Sequence, residues 1–135
     1  MKKAKRTPNA QRPTSNVEVR TLRTRIDGVP GAAITAWIGP KFVGSVTLSH
    51  LNSKSASVTN LFVALEFRRN GIARRLLGEC AVRAMEHLGC ECIGLIAARN
   101  NPARYFYPKV GFTLAYEYSD KSLLFSRPIR KATRR

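Results

Sequence analysis

Leu61-Phe62-Val63-Ala64-Leu65-Glu66-Phe67-Arg68-Arg69-Asn70-Gly71-Ile72-Ala73-Arg74-Arg75-Leu76-Leu77 is the stretch on which the reading of this chain turns. It begins as the apolar end of a strand and passes through a short Arg- and Gly-containing loop. From Gly71 the hydrophobic period changes: Ile72, Leu76, Leu77, Cys80, Ala81, Ala84 and Leu88 fall at helical spacing, with Arg74, Arg75, Glu79, Arg83 and Glu86 on the other side. Asn70 is expected to cap the start of that helix and Gly89 its end. A strand that runs through a loop of consecutive N–H groups into a helix N-terminus makes an anion cradle, and Gly71 allows close approach, so a pyrophosphate fits there. The spacing is neither G-x-G-x-x-G nor a Walker A loop, which disfavours a dinucleotide or a nucleoside triphosphate.

Upstream, Val17, Val19, Leu22 and Ile26 suggest a first strand, and Asp27-Gly28-Val29-Pro30-Gly31 a turn. Ala32 to Ile38 reads as a second strand, Gly39-Pro40-Lys41 as a tight turn, Phe42 to Leu48 as a third strand, and Ala56 to Val63 as a fourth after the polar turn Asn52 to Ser55. Downstream, Ile93 to Ala97 is a continuous apolar run, as in the middle of a sheet. Asn101-Pro102 opens a short helix through Tyr105. Thr113 to Tyr118 and Leu123 to Ser126 close the sheet as a hairpin around Ser119-Asp120-Lys121. The order is β-β-β-β-α-β-α-β-β, an α/β domain with a mixed sheet, in which the long helix crosses between strands four and five as a right-handed βαβ unit.

The hexapeptide Arg68-Arg69-Asn70-Gly71-Ile72-Ala73 matches the R/Q-x-x-G-x-G/A loop of the GNAT acetyltransferases. A second signature follows one helix and one strand later. Asn100-Asn101-Pro102-Ala103-Arg104-Tyr105-Phe106-Tyr107-Pro108-Lys109-Val110-Gly111-Phe112 matches N-x-x-A-x-x-x-Y-x-x-x-G-F. On these residues the chain resembles the GNAT N-acetyltransferase family over about residues 42–118. The resemblance implies the GNAT acyl-CoA N-acyltransferase fold and acetyl-CoA as ligand. It also implies roles: backbone around Leu61, Phe62 and Val63 pairing with the pantetheine arm, N–H groups of Arg68, Arg69, Asn70, Gly71, Ile72 and Ala73 holding the pyrophosphate, and Asn100 bonding the pantetheine near the thioester. Arg74, Arg75 and Arg104 would meet the 3′-phosphate. Tyr107 would face the sulfur as general acid, since a tyrosine hydroxyl can protonate a departing thiolate.

Two features depart from the family pattern. Only Asp27 to Gly31 separates the first two strands, so the two helices that the family inserts there, which wall the acceptor side, are expected to be missing. No Asp or Glu occurs between Asp27 and Glu66, so the fourth strand lacks the family's frequent glutamate base. Deprotonation of an ammonium would fall to a water, to Glu117, or to nothing.

Composition bounds the rest. The 135 residues fit one domain. Lys and Arg outnumber Asp and Glu by 24 to 8, so polyanions are attracted. Ten of the basic residues lie in two acid-free segments, 1–13 and 127–135, which read as basic arms around a domain at 14–126, with RNA or DNA as a candidate partner. Cys80, Cys90 and Cys92 lack zinc spacing and read as free thiols of a reducing compartment, the cytoplasm. No run is long and apolar enough for a membrane span, so no membrane partner is expected. His50 and His87 read as a strand-end and a helix-surface residue, and Trp37 as core. Two functional classes remain: an N-acetyltransferase acting on a primary amine of a protein, a lysine or an N-terminus, or a non-catalytic module of the same fold that binds nucleic acid or an acidic protein surface through its arms.

Overall fold

The computed structural model of the chain describes residues 16–129. The N-terminal arm at 1–13 and residues 130–135 lie outside them. The elements are β1 (Glu18–Ile26), β2 (Val29–Ile38), β3 (Lys41–His50), β4 (Ser55–Val63), a 3₁₀ turn (Leu65–Phe67), α1 (Ile72–Leu88), β5 (Cys92–Ala98), two further 3₁₀ turns (Pro102–Tyr105 and Tyr107–Val110), β6 (Thr113–Ser119) and β7 (Ser122–Pro128). The strands form one sheet in the order β1-β2-β3-β4-β5-β7-β6, antiparallel except for β4 and β5. No helix stands between β1 and β2. Ile26 pairs directly with Val29 across Asp27-Gly28, both with positive φ, so the expected five-residue turn is a two-residue Asp-Gly hairpin and Val29-Pro30-Gly31 belongs to β2. At the other end β7 runs to Pro128 and the Ile129 N–H donates to the Glu91 carbonyl, so Arg127 and Pro128, expected to begin a basic tail, belong to the sheet.

Alternation within the strands decides which face is core. Ala32, Ile34 and Ala36 of β2, Val46 and Leu48 of β3, and Ala56 and Val58 of β4 are buried, and α1 lies over them with Ile72, Leu76, Leu77, Cys80, Ala81 and Ala84. All the buried residues form one cluster. Each large apolar side chain buried this way contributes about 1.5–3 kcal/mol. The close seat of α1 depends on Gly44: a Cβ there would lie 2.9 Å from the Phe62 carbonyl oxygen and 3.2 Å from Leu76 Cδ1. The opposite face of β1 to β3 carries small polar residues such as Thr35, Ser45 and Thr47, all half-buried. Trp37 lies on that face rather than in the core. Its Nε1 donates to Thr35 Oγ1 at 2.9 Å and the Arg20 guanidinium sits 4.5 Å over its ring.

One irregularity shapes the site. β4 pairs with β5 only at Ser55, Ala56 and Ser57, opposite Cys92, Ile93 and Gly94, and beyond that the strands part. Along β3, Ser45 pairs with Phe62 but Thr47 with Thr59, so β4 holds one extra residue there, and Asn60 has φ 56°. A bulge of this kind bends its strand, and asparagine tolerates the left-handed conformation better than most side chains. The bend leaves the β5-facing backbone groups of the C-terminal half of β4 without a strand partner.

Candidate active site

The loop after β4 leads to α1 through two left-handed residues, Arg69 at φ 69° and Gly71 at φ 80°. Gly71, not Asn70, is the N-cap, and no side chain caps the helix. The first turn of α1 carries no acid, so no carboxylate of that turn offsets its positive dipole end. Arg68 turns back, its Nε donating to the Val63 carbonyl at 3.0 Å. Arg74 Nη1 reaches the Lys109 carbonyl at 3.3 Å and ties α1 to the turn at Tyr107–Val110.

These parts enclose a cleft of about 550 Å³. Leu61, Phe62, Val63, Arg68, Arg69, Gly71, Ile72, Ala73, Arg74 and Tyr107 line it, together with Phe67 and Phe106. Four other expected residues do not line it. Asn70 is half-buried in the loop, Asn100 is exposed in the turn after β5, and Arg104 lies against Tyr105, its Nη2 2.6 Å from the phenol oxygen. Arg75 points elsewhere, donating to the Val17 carbonyl at 3.0 Å. The sequence reading missed Phe67 and Phe106. Phe67 directly precedes the first motif and Phe106 lies within the second, and the signal was an aromatic beside Arg68 and beside Tyr107.

A second hollow of about 310 Å³ fills the gap between β4 and β5, lined by Ser57, Val58, Thr59, Asn60, Leu61, Leu95, Ile96 and again Tyr107. Tyr107 therefore stands where the two hollows meet. Its ring is held by Phe125, Phe106 and Phe112, with centroids 5.4, 6.0 and 6.0 Å away, and is 8% exposed. Burial pushes the phenol above its ordinary value, so it is protonated at neutral pH and can donate. Neither hollow is lined by an Asp, Glu or His. Glu117 pairs with Arg99 at 2.9 Å, and Glu66, beside the loop, pairs with Lys41 at 3.5 Å. Cys80 and Cys90 are buried and Cys92 half-buried. Burial pushes the Cys80 thiol up to about 12, which leaves it unreactive. Among the described residues no group of three or more metal-ligating side chains occurs, and no helix is long and apolar enough to cross a membrane.

A family model described as the acetyltransferase (GNAT) family matches residues 4–112. The chain belongs to the GNAT acetyltransferases. Solved structures share the fold at low identity. A GNAT family acetyltransferase from Elizabethkingia anophelis, with acetyl-CoA bound, is 14% identical with a TM-score of 0.68, over 84% of this chain and 98% of the other. The ribosomal-protein-S18-alanine N-acetyltransferase of Escherichia coli is 17% identical with a TM-score of 0.65, over 87% and 96%. A spermidine N-acetyltransferase mutant from Vibrio cholerae is 16% identical with a TM-score of 0.66, over 84% and 94%. No curated protein sequence matches the chain significantly. Against the usual GNAT plan, this chain is a trimmed version without the two helices between its first strands.

Acetyl-CoA is the cosubstrate of the family, and the residues present fit it. An uncapped helix start behind two left-handed residues suits a pyrophosphate. The part of bent β4 that does not pair with β5 suits the amides of an extended arm. Leu61, Val63, Ile72 and Phe106 provide the apolar walls.

Proposed function

We propose that this chain is an active N-acetyltransferase that moves acetyl from acetyl-CoA to a primary amine carried by a protein, a lysine or an N-terminus. The observation that carries the reading is the place of Tyr107, a protonated phenol where the loop-and-helix cleft meets the gap between β4 and β5. Acetyl-CoA supplies an acyl group activated as a thioester. Leu61 to Val63 hold its arm through their backbone, and the N–H groups from Arg68 to Ala73 hold its phosphates, with Arg74 beside them. The gap between β4 and β5 admits the amine. As the amine nitrogen bonds to the acetyl carbon and the carbon–sulfur bond breaks, the Tyr107 hydroxyl gives its proton to the sulfur and regains one, through water, from that nitrogen. A macromolecular acceptor is supported by the missing helices, because an open groove encloses little of a small ligand. The cytoplasm is the proposed compartment, a reading the three free thiols support.

A second reading has one observation in its favour: no carboxylate or imidazole lines the cleft. In it the chain is a non-catalytic module that binds acetyl-CoA as a structural ligand and takes a nucleic acid or an acidic protein on its basic arms.

Gly71→Asp tests the site. Asp tolerates a positive φ better than most residues and suits a helix N-terminus, so the fold survives while its carboxylate repels the pyrophosphate. Calorimetric titration with acetyl-CoA is expected to show binding by the native chain and none by the variant. Equal affinities would remove the ligand from this loop.

A further inference from the structure

The acceptor amine arrives as an ammonium or as a free amine, and which of the two this protein can use depends on whether a side chain can take the proton. All eight Asp and Glu and both His of the chain fall within the described residues. Three stand at the far end of the strands from the cleft: Asp27 in the β1–β2 turn, His50 opposite Ala56, and Glu91 just before β5. Leu61, the β4 residue that lines both hollows with Tyr107, is five residues on from Ala56, about 17 Å of strand, and β4 stands between His50 and the gap. Glu79, Glu86 and His87 lie on α1 and turn away from the cleft. Glu79 accepts from Thr21 of β1, both glutamates pair with Arg83, and His87 meets Arg83. Glu18 sits on the edge strand β1, paired with Arg20, while Glu117 and Asp120 sit exposed on β6 and its turn, and Glu117 is held by Arg99 just past the end of β5, outside the lining of either hollow.

Glu66 remains. It is exposed on the turn next to the loop, its carboxyl held below the usual range by a backbone hydrogen bond and by Lys41, so it is a weak base facing solvent. The charged groups that do line the cleft are Arg68, Arg69 and Arg74, which cannot accept a proton. Tyr107 is kept neutral by burial and cannot serve either.

Resting on the transferase reading above, we infer that the acceptor is an amine that is already substantially unprotonated at neutral pH, the α-amino group of a polypeptide, rather than a lysine ε-amino group or a polyamine. An α-amine titrates near 7.7–8.0 and a lysine near 10.4, so at pH 7.5 roughly a third of the first is free base against about a thousandth of the second. The proton shed by the nitrogen after attack passes through water and restores Tyr107 in either case.

The test uses the full chain, acetyl-CoA and two peptides of one sequence, one lysine-free with an open N-terminus, the other N-terminally blocked with a single lysine. Thiol release and acetyl gain by mass are followed from pH 6 to 10. At pH 7.5 kcat/KM is expected to be about three-hundredfold higher on the open N-terminus. The lysine peptide should gain about tenfold per pH unit up to the titration of its own amine, whereas the open N-terminus levels off near pH 8. Glu66→Gln and Glu117→Gln, both exposed, should leave both profiles within twofold of native. Comparable rates on the two peptides at pH 7.5, a limb with the same apparent pKa on both, or a tenfold loss in either variant would overturn the inference and reveal a protein base. Failure to acetylate either peptide at any pH would overturn the transferase reading itself.

Discussion

Tyr107 is where residue chemistry and fold meet. Its aromatic neighbours Phe106, Phe112 and Phe125 fix the ring, and burial keeps the hydroxyl protonated. Tyr107→Phe keeps the packing and removes the proton, so steady-state kinetics should show turnover reduced roughly ten- to a thousandfold with acetyl-CoA affinity nearly unchanged. A loss confined to affinity would make Tyr107 a packing residue. The residue was legible because a tyrosine at a fixed distance before Gly111-Phe112 is part of a motif. Asn70 was misread as a cap for a physical reason: Asn and Gly both favour helix starts, and only backbone geometry tells which of two adjacent residues takes the position. Asn100 belongs to a motif as well, yet motif membership does not fix how a turn after a strand is oriented, and the turn leaves it exposed.

At the scale of elements, strand and helix periods placed β1 to β7 and α1 to within a few residues, because alternation and the 3.6 period are local signals. The parting of β4 from β5 was invisible. It arises from one extra residue near Asn60, and a bulge is a pairing relation between strands, not a pattern within one. The short helix expected from Asn101-Pro102 through Tyr105 proves to be a 3₁₀ turn, Pro102–Tyr105, and past Phe106 a second one, Tyr107–Val110, contains Pro108. Gly44 tests whether the seat of α1 against β3 and β4 matters. Gly44→Ala sets a methyl against the Phe62 carbonyl and Leu76, and should lower stability by about 1–3 kcal/mol, read from the denaturant midpoint. Acetyl-CoA affinity should fall with it, since the start of α1 would shift away from Leu61 to Val63. An unchanged midpoint would show that the contact relaxes freely.

For the whole molecule, the charge of +16 is concentrated at the ends, and the sequence showed this directly because composition needs no fold to be read. The boundary of the C-terminal arm was less clear, since Arg127 and Pro128 are poor strand formers that pairing with Cys92 and Ile93 nonetheless recruits into β7. A chain trimmed to 14–129 should bind acetyl-CoA as the full chain does. If the arms hold a polyanion, the full chain should bind single-stranded RNA with an affinity that falls steeply with salt, and the trimmed chain weakly with a much smaller slope. Equal slopes would place the polyanion on the folded domain. The central claim, that this small member of the family is an enzyme, is tested most directly by incubating the full chain with acetyl-CoA and a peptide bearing a free N-terminus, then measuring thiol release and peptide mass together. The account predicts one acetyl group gained per thiol released, and no release with Gly71→Asp. Bound acetyl-CoA that stays intact in the presence of this peptide, and of a lysine peptide up to pH 10, would contradict it.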